Sequence, residues 1–183
     1  MSGTVGSRER LRLFCALTLP EPALDGIVAW QAREVRDSAR AVPRENLHAT
    51  LAFLGDRPPG DVERIAAELR LAAAAVSEPL SFRPGGYRET RSVGMLVLHD
   101  DGGRASLLAA DVHERLTRLG VYEPEERIWL PHVTVLRFRR PPRLRPSLPD
   151  FAAFSPSGAA VYHSVLRSSG AQYEVLEFVS LGG

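Results

Sequence analysis

The sequence predicts an α+β fold with mainly antiparallel sheet, arranged as two lobes facing each other across a groove. Two observations predict it. Strand and helix patterns intermix in the order β-α-β-α-β-β-α-β-β-β, with several hairpins, which argues against a doubly wound parallel sheet. A segment beginning His48-Ala49-Thr50 and reaching Phe53 is also echoed by one beginning His132-Val133-Thr134 and reaching Arg137, 132 − 48 = 84 positions later. Each echo is followed by a Pro-Pro pair, Pro58-Pro59 and Pro141-Pro142, and the separation is close to half of the 183-residue chain. Residues 1–183 are therefore expected to form a single domain of two similar lobes.

The elements follow in order. Leu11, Leu13, Cys15, Leu17 and Leu19 alternate along one face of a first strand. Pro22 suits a helix start, and Leu24, Ile27, Val28, Gln31 and Val35 follow at helical spacing. Pro43 and Asn46 mark the loop into the first His strand, Leu47 to Leu54. After the turn Gly55 to Gly60, Asp61 is placed to cap a second helix whose stripe is Val62, Ile65, Leu69 and Val76. Pro79 to Tyr87 reads as an irregular strand bent at Gly85-Gly86, and Val93 to His99 as a regular one. Asp100 to Gly103 is a turn signal. A third helix carries Leu107, Leu108, Val112, Leu116 and Leu119, with Gly120 as its terminator. The second His strand follows the loop Glu123 to Arg127. Pro141 to Pro149 holds four prolines and is neither a central strand nor a helix interior. Ala159 to Leu166 and Tyr173 to Leu181 close the chain as a hairpin about Ser168 to Ala171.

Composition narrows the chemistry. A hydrophobic share of 44% and a charged share of 25% are ordinary for a globular domain with a core that needs no staples. Cys15 is the single cysteine, which excludes an intrachain disulfide and a cysteine-based zinc site and fits a reducing, cytoplasmic setting. The apolar run Leu11 to Leu19 is too short to span a bilayer, so no membrane partner is expected. A net charge of +1 offers no overall basic field, and any nucleic-acid contact must be local. All 23 basic residues are arginine. Without lysine, Schiff-base chemistry, a Walker-type phosphate lysine and a nucleotidylated-lysine ligase intermediate are excluded.

The paired motifs carry the function. Side chains at i and i+2 of a strand share a face, so His48 projects with Thr50 and His132 with Thr134. Imidazole titrates near neutrality, and two of them can divide a phosphoester displacement: one neutral, deprotonating water, the other protonated, supplying the leaving oxygen. Threonine hydroxyls can donate to the non-bridging oxygens as their charge grows. Neither histidine has Asp, Glu or His at i+2 or i+4, so a metal site is not predicted.

These segments resemble the two-histidine (2H) phosphoesterases, in the RNA 2′,3′-cyclic phosphodiesterase branch also called 2′-5′ RNA ligases. The resemblance runs from Arg12-Leu13-Phe14-Cys15-Ala16-Leu17 through Asn46 to Gly55 and Arg127 to Arg137 to Tyr162 to Val175. It implies a bilobal fold with a water-filled cleft between two antiparallel sheets and helices outside. It also implies cofactor-free hydrolysis of a ribose 2′,3′-cyclic phosphate, on RNA, an oligonucleotide or a nucleotide, to a 2′-phosphate. His48 is similar to the family's general acid at O3′, and His132 to its base. Thr50, Thr134 and Arg137 match phosphate-binding positions, and Phe53 matches a nucleobase-stacking aromatic. Strict alternation places Phe53 and Arg137, five positions after their histidines, on the opposite face; a bulge, strand end or strong twist would have to turn them inward.

Other residues are read more plainly. Ala49 replaces a larger aliphatic, and Ala41-Val42 stands where an aromatic often precedes Val-Pro. His163 either lines the cleft or is an ordinary sheet residue, while His99 and His113 are read as surface or structural. Arg137 to Arg145 is either a basic rim or a solvated loop. The alternatives kept open are ATP-independent reverse 2′-5′ ligation, another substrate such as ADP-ribose 1″,2″-cyclic phosphate, and a non-catalytic RNA-end binder. A monomer is expected.

Overall fold

In the computed structural model, which describes residues 9–35 and 38–181, eight strands form two four-stranded sheets. The chain runs β1 (Leu11–Thr18), α1 (Glu21–Glu34), β2 (Arg40–Ala41), β3 (His48–Arg57), α2 (Asp61–Ala74), β4 (Phe82–Glu89), β5 (Val93–Asp100), α3 (Arg104–Arg118), β6 (His132–Arg137), β7 (Gly158–Arg167) and β8 (Gly170–Val179). One sheet has the order β3-β1-β7-β8 and the other β2-β6-β5-β4, and every pairing is antiparallel. The α+β expectation holds. The lobes are not consecutive halves of the sequence, however. The closing hairpin completes the sheet begun by β1 and β3, and β2 from the first half joins β6.

The helices pack outside. α1 lies against β6, while α2 and α3 pack on each other and over the sheet that contains β3 and β7. Leu13, Cys15, Leu17 and Leu19 are buried as the alternation of the first strand requires. Burial pushes the Cys15 thiol up to about 12, which leaves it inert. Gly120 adopts φ 76° just past α3, a left-handed conformation that ends the helix without a Cβ clash.

Several local expectations are corrected. Leu107 is 72% exposed, and the buried stripe of α3 is Ala105, Leu108, Ala109, Val112 and Leu116. α1 stops at Glu34 and buries Ala23, Ile27, Trp30 and Gln31, so Val28 lies off the stripe. Asp61 does not cap α2; Gly60 precedes the helix, and Asp61 pairs with Arg64 at 3.1 Å. The irregular strand begins at Phe82, with a bulge between Pro84 and Gly86 where the glycine pair predicted a bend. The stretch from Pro141 to Pro149 is neither helix nor strand, as its prolines require.

Candidate active site

Both His strands present the motif to one cleft. His48 and Thr50 from β3 and His132 and Thr134 from β6 line a cavity of about 520 Å³ between the sheets. Phe53 and Arg137 line it too.

A bulge in each strand explains the last two. In β3, Ala16 pairs with Thr50 and Cys15 with Ala52, so Leu51 is an extra residue. In β6, Met95 pairs with Thr134 and Gly94 with Leu136, so Val135 is the extra residue. Both bulges directly follow the motif threonine. Each makes two successive side chains point into the core, Leu51-Ala52 and Val135-Leu136, and returns the next residue to the cleft. Alternation that would have turned Phe53 and Arg137 away is thereby reset.

The bulge carbonyls are held from outside their own strands. Gln31 on α1 donates its Nε2 to the Val135 carbonyl at 2.7 Å and to the Val42 carbonyl at 3.0 Å. The Val42 amide also donates to Val135 at 2.9 Å. On the other side His113 on α3 donates Nε2–H to the Leu51 carbonyl at 2.7 Å, and its ring stacks on Tyr122. Trp129 Nε1 donates to the Thr50 carbonyl at 3.0 Å. β3 is an edge strand, and these side chains satisfy carbonyls that a neighbouring strand would otherwise take.

The imidazoles are oriented alike. Nδ1 of His48 donates to the Asn46 carbonyl and Nδ1 of His132 to the Leu130 carbonyl, each at 2.8 Å. A carbonyl only accepts, so both rings carry hydrogen on Nδ1 and leave Nε2 for proton exchange. His48 Nε2 accepts from the Thr50 hydroxyl at 3.0 Å.

Their surroundings differ. His48 sits among Phe14, Tyr162 and Tyr173, with ring centroids 4.9, 5.9 and 5.3 Å away. Burial lowers its pKa from 6.5 to about 4; the bond to Asn46 opposes that shift, while His132 and Arg137 add to it. Tyr173 reaches across the cleft to within 3.5 Å of the Arg137 guanidinium. Phe53 is 65% exposed, a flat apolar face offered to whatever occupies the cavity.

Several cleft residues escaped sequence reasoning: Arg12, Phe14, Arg40, Ser164 and Tyr173. Phe14 and Tyr162 read as ordinary strand positions, and only cross-strand register brings them to His48. His163 lies opposite Leu13 and approaches Glu174 at 3.8 Å, on the face away from the cleft that its neighbour Ser164 lines. His99 is exposed beside Asp101 at 3.3 Å. Among the described residues, no group of three His, Cys, Asp or Glu side chains could hold a metal ion, and no helix is long and apolar enough to cross a membrane.

Two antiparallel sheets that each offer a His-x-Thr strand to one cleft define a two-histidine phosphoesterase. Residues 17–85 match the family model described as LigT like Phosphoesterase. An RNA 2′,3′-cyclic phosphodiesterase of Thermus thermophilus is 34% identical over 94% of this chain and 91% of its own length. A crystal structure from the same organism superposes with a TM-score of 0.78 at 30% identity, covering 94% of this chain and 99% of that one. The fold of Escherichia coli LigT complexed with 3′-AMP also matches, with a TM-score of 0.78 at 23% identity over 96% of this chain and 100% of that one. The chain belongs to the LigT-like phosphoesterase family.

Proposed function

We propose that this chain is a metal-independent phosphodiesterase that opens ribose 2′,3′-cyclic phosphate ends of RNA to 2′-phosphates. The observation that carries the reading is the pair of Nδ1-anchored imidazoles, delivered by opposite sheets and facing one cavity together with both motif threonines. The similarity to an RNA 2′,3′-cyclic phosphodiesterase of Thermus thermophilus supports it.

In the proposed reaction a water oxygen forms a bond to phosphorus and the P–O3′ bond breaks. Nε2 of neutral His132 takes the water proton, and Nε2 of protonated His48 gives its proton to O3′. Thr50, Thr134 and Arg137 hold the non-bridging oxygens, and Phe53 stacks on the base. Burial keeps His48 neutral near pH 7, since its pKa is lowered to about 4. Its acid role therefore depends on the anionic phosphate, whose charge beside the ring favours the imidazolium. Substrate and proton arrive as a linked pair.

The test is incubation with a 2′,3′-cyclic nucleotide in EDTA, resolving 2′- from 3′-phosphate. Release of the 2′-phosphate is the expected outcome. Exclusive 3′-phosphate would reverse the bond that breaks, and a strict metal requirement would overturn the mechanism.

A further inference from the structure

We infer that a pocket beside Arg137 binds a second phosphate, the one on the 5′ side of the nucleoside whose cyclic phosphate lies between the histidines. The inference rests on the proposed function and extends it from the reacting group to the rest of the substrate.

A cavity of about 400 Å³ adjoins the cleft and is lined by Arg40, Arg137 and Arg139 together with Ser38, Ala39 and Phe138. Arg40 and Arg137 also line the main cleft, so they form the wall common to both. These two arginines are direct cross-strand partners where β2 meets β6. Like charges set opposite each other destabilise a sheet, and an anion between them removes that cost. β6 ends at Arg137 and Phe138 is buried, and in the bend that follows Arg139 lines the same pocket as Arg137.

Nine arginines of the described residues engage carboxylates, among them Arg44 with Glu21 and Asp25 and Arg115 with Glu68 and Asp111. Among the described residues no carboxylate lies within 4.0 Å of Arg40, Arg137 or Arg139. Three guanidiniums around one cavity, with no carboxylate among the described residues paired to them, form a phosphate-binding arrangement. The basic run from Arg137 to Arg145 is narrowed by this geometry. Arg143 turns its amide to Glu89 at 2.8 Å, and Arg140, Arg143 and Arg145 do not line the pocket.

The experiment compares kcat/KM for adenosine 2′,3′-cyclic phosphate, its 5′-phosphorylated form, and the dinucleotide ApA with a 2′,3′-cyclic end. Wild type is expected to favour one or both of the longer substrates by about fivefold or more. Arg139→Ala should abolish that preference and leave turnover of the first substrate unchanged, while Arg140→Ala should behave as wild type. The ratio between the two longer substrates tells whether a terminal monoester or a chain phosphodiester occupies the pocket. No preference in wild type, or a preference that survives in Arg139→Ala, would overturn the inference. Calorimetric affinities for adenosine 2′-phosphate and adenosine 2′,5′-bisphosphate separate this failure from failure of the proposed reaction. They read the pocket whether or not turnover occurs, and equal affinities, or a difference that ignores Arg139, would overturn the pocket alone. With a single-stranded oligonucleotide, Arg139→Ala should also reduce the slope of log affinity against log salt by about 0.7.

Discussion

β3 and β6 make the same device in two settings. Each carries His-x-Thr, anchors Nδ1 of its histidine to the carbonyl two residues earlier, and bulges directly after the threonine. Each holds the bulge carbonyl with a side chain from a helix. They part in what surrounds the ring. Phe14, Tyr162 and Tyr173 crowd His48, whereas the anchoring bond of His132 is exposed. They part again in what the bulge delivers: an aromatic face from β3 and a guanidinium from β6. One backbone solution thus serves two chemical needs. Geometry is repeated, and burial lowers the proton affinity of His48.

The largest effects should come from breaking either histidine. His48→Ala and His132→Ala are each expected to lower kcat by about 10² to 10⁴, the usual contribution of one proton transfer. A sharper test separates their roles. A cyclic phosphate with sulfur in place of O3′ has a leaving group that needs no proton. It should restore turnover in His48→Ala and leave His132→Ala inactive. Rescue of His132→Ala instead would exchange the two roles between the strands. Bell-shaped pH profiles do not discriminate, because two coupled histidines give the same curve with either assignment.

The burial difference itself predicts a smaller effect, on stability. The folded pKa of His48 is about 4 and its ordinary value 6.5, so the unfolded chain binds the extra proton between those limits. Stability from keeping this ring neutral is fully present above pH 6.5 and is lost as pH falls toward 4. The difference of about 2.5 pH units corresponds to about 3 kcal/mol. Urea unfolding of wild type and His48→Gln across that window measures it, with the variant expected to show the flatter curve. An unchanged curve in His48→Gln would show that burial of this ring does not set the pH dependence.

Much of this was readable in the sequence, for reasons that particular residues make plain. The His and Thr positions follow from the two-residue period alone, and the helix stripes around Ile65, Leu69, Val112 and Leu116 follow from the 3.6-residue period. The bulges were not readable as such. Their trace is a pair of adjacent apolar residues after each threonine, Leu51-Ala52 and Val135-Leu136, and adjacent apolar residues occur in strands for many reasons. The aromatic setting of His48 depends on register between β1, β3, β7 and β8, which no local pattern encodes. β2 is two residues long, too short for any period, yet it places Arg40 opposite Arg137. Gln31 did leave a signal: an amide in an otherwise apolar helical stripe requires buried partners, and it has two carbonyls.

The smallest expected effects test whether the bulges position the residues they deliver. Gln31→Met and His113→Leu keep most of the side-chain volume and remove the donor from the Val135 and Leu51 carbonyls. A purely structural role would lower stability and leave kcat/KM to respond independently of the cleft. A positioning role makes the losses overlap. Once Arg137 is removed, misplacing it costs nothing further, so Gln31→Met should lower kcat/KM in wild type but little in Arg137→Ala. The corresponding pair on β3 is His113→Leu with Phe53→Ala. Coupling of about 1 kcal/mol within each pair is expected, and none across the strands, since Gln31 and Phe53 serve different bulges. Additive losses within both pairs would show that the donors only support the fold. Coupling in one pair alone would make the two strands alike in form and different in how they hold it.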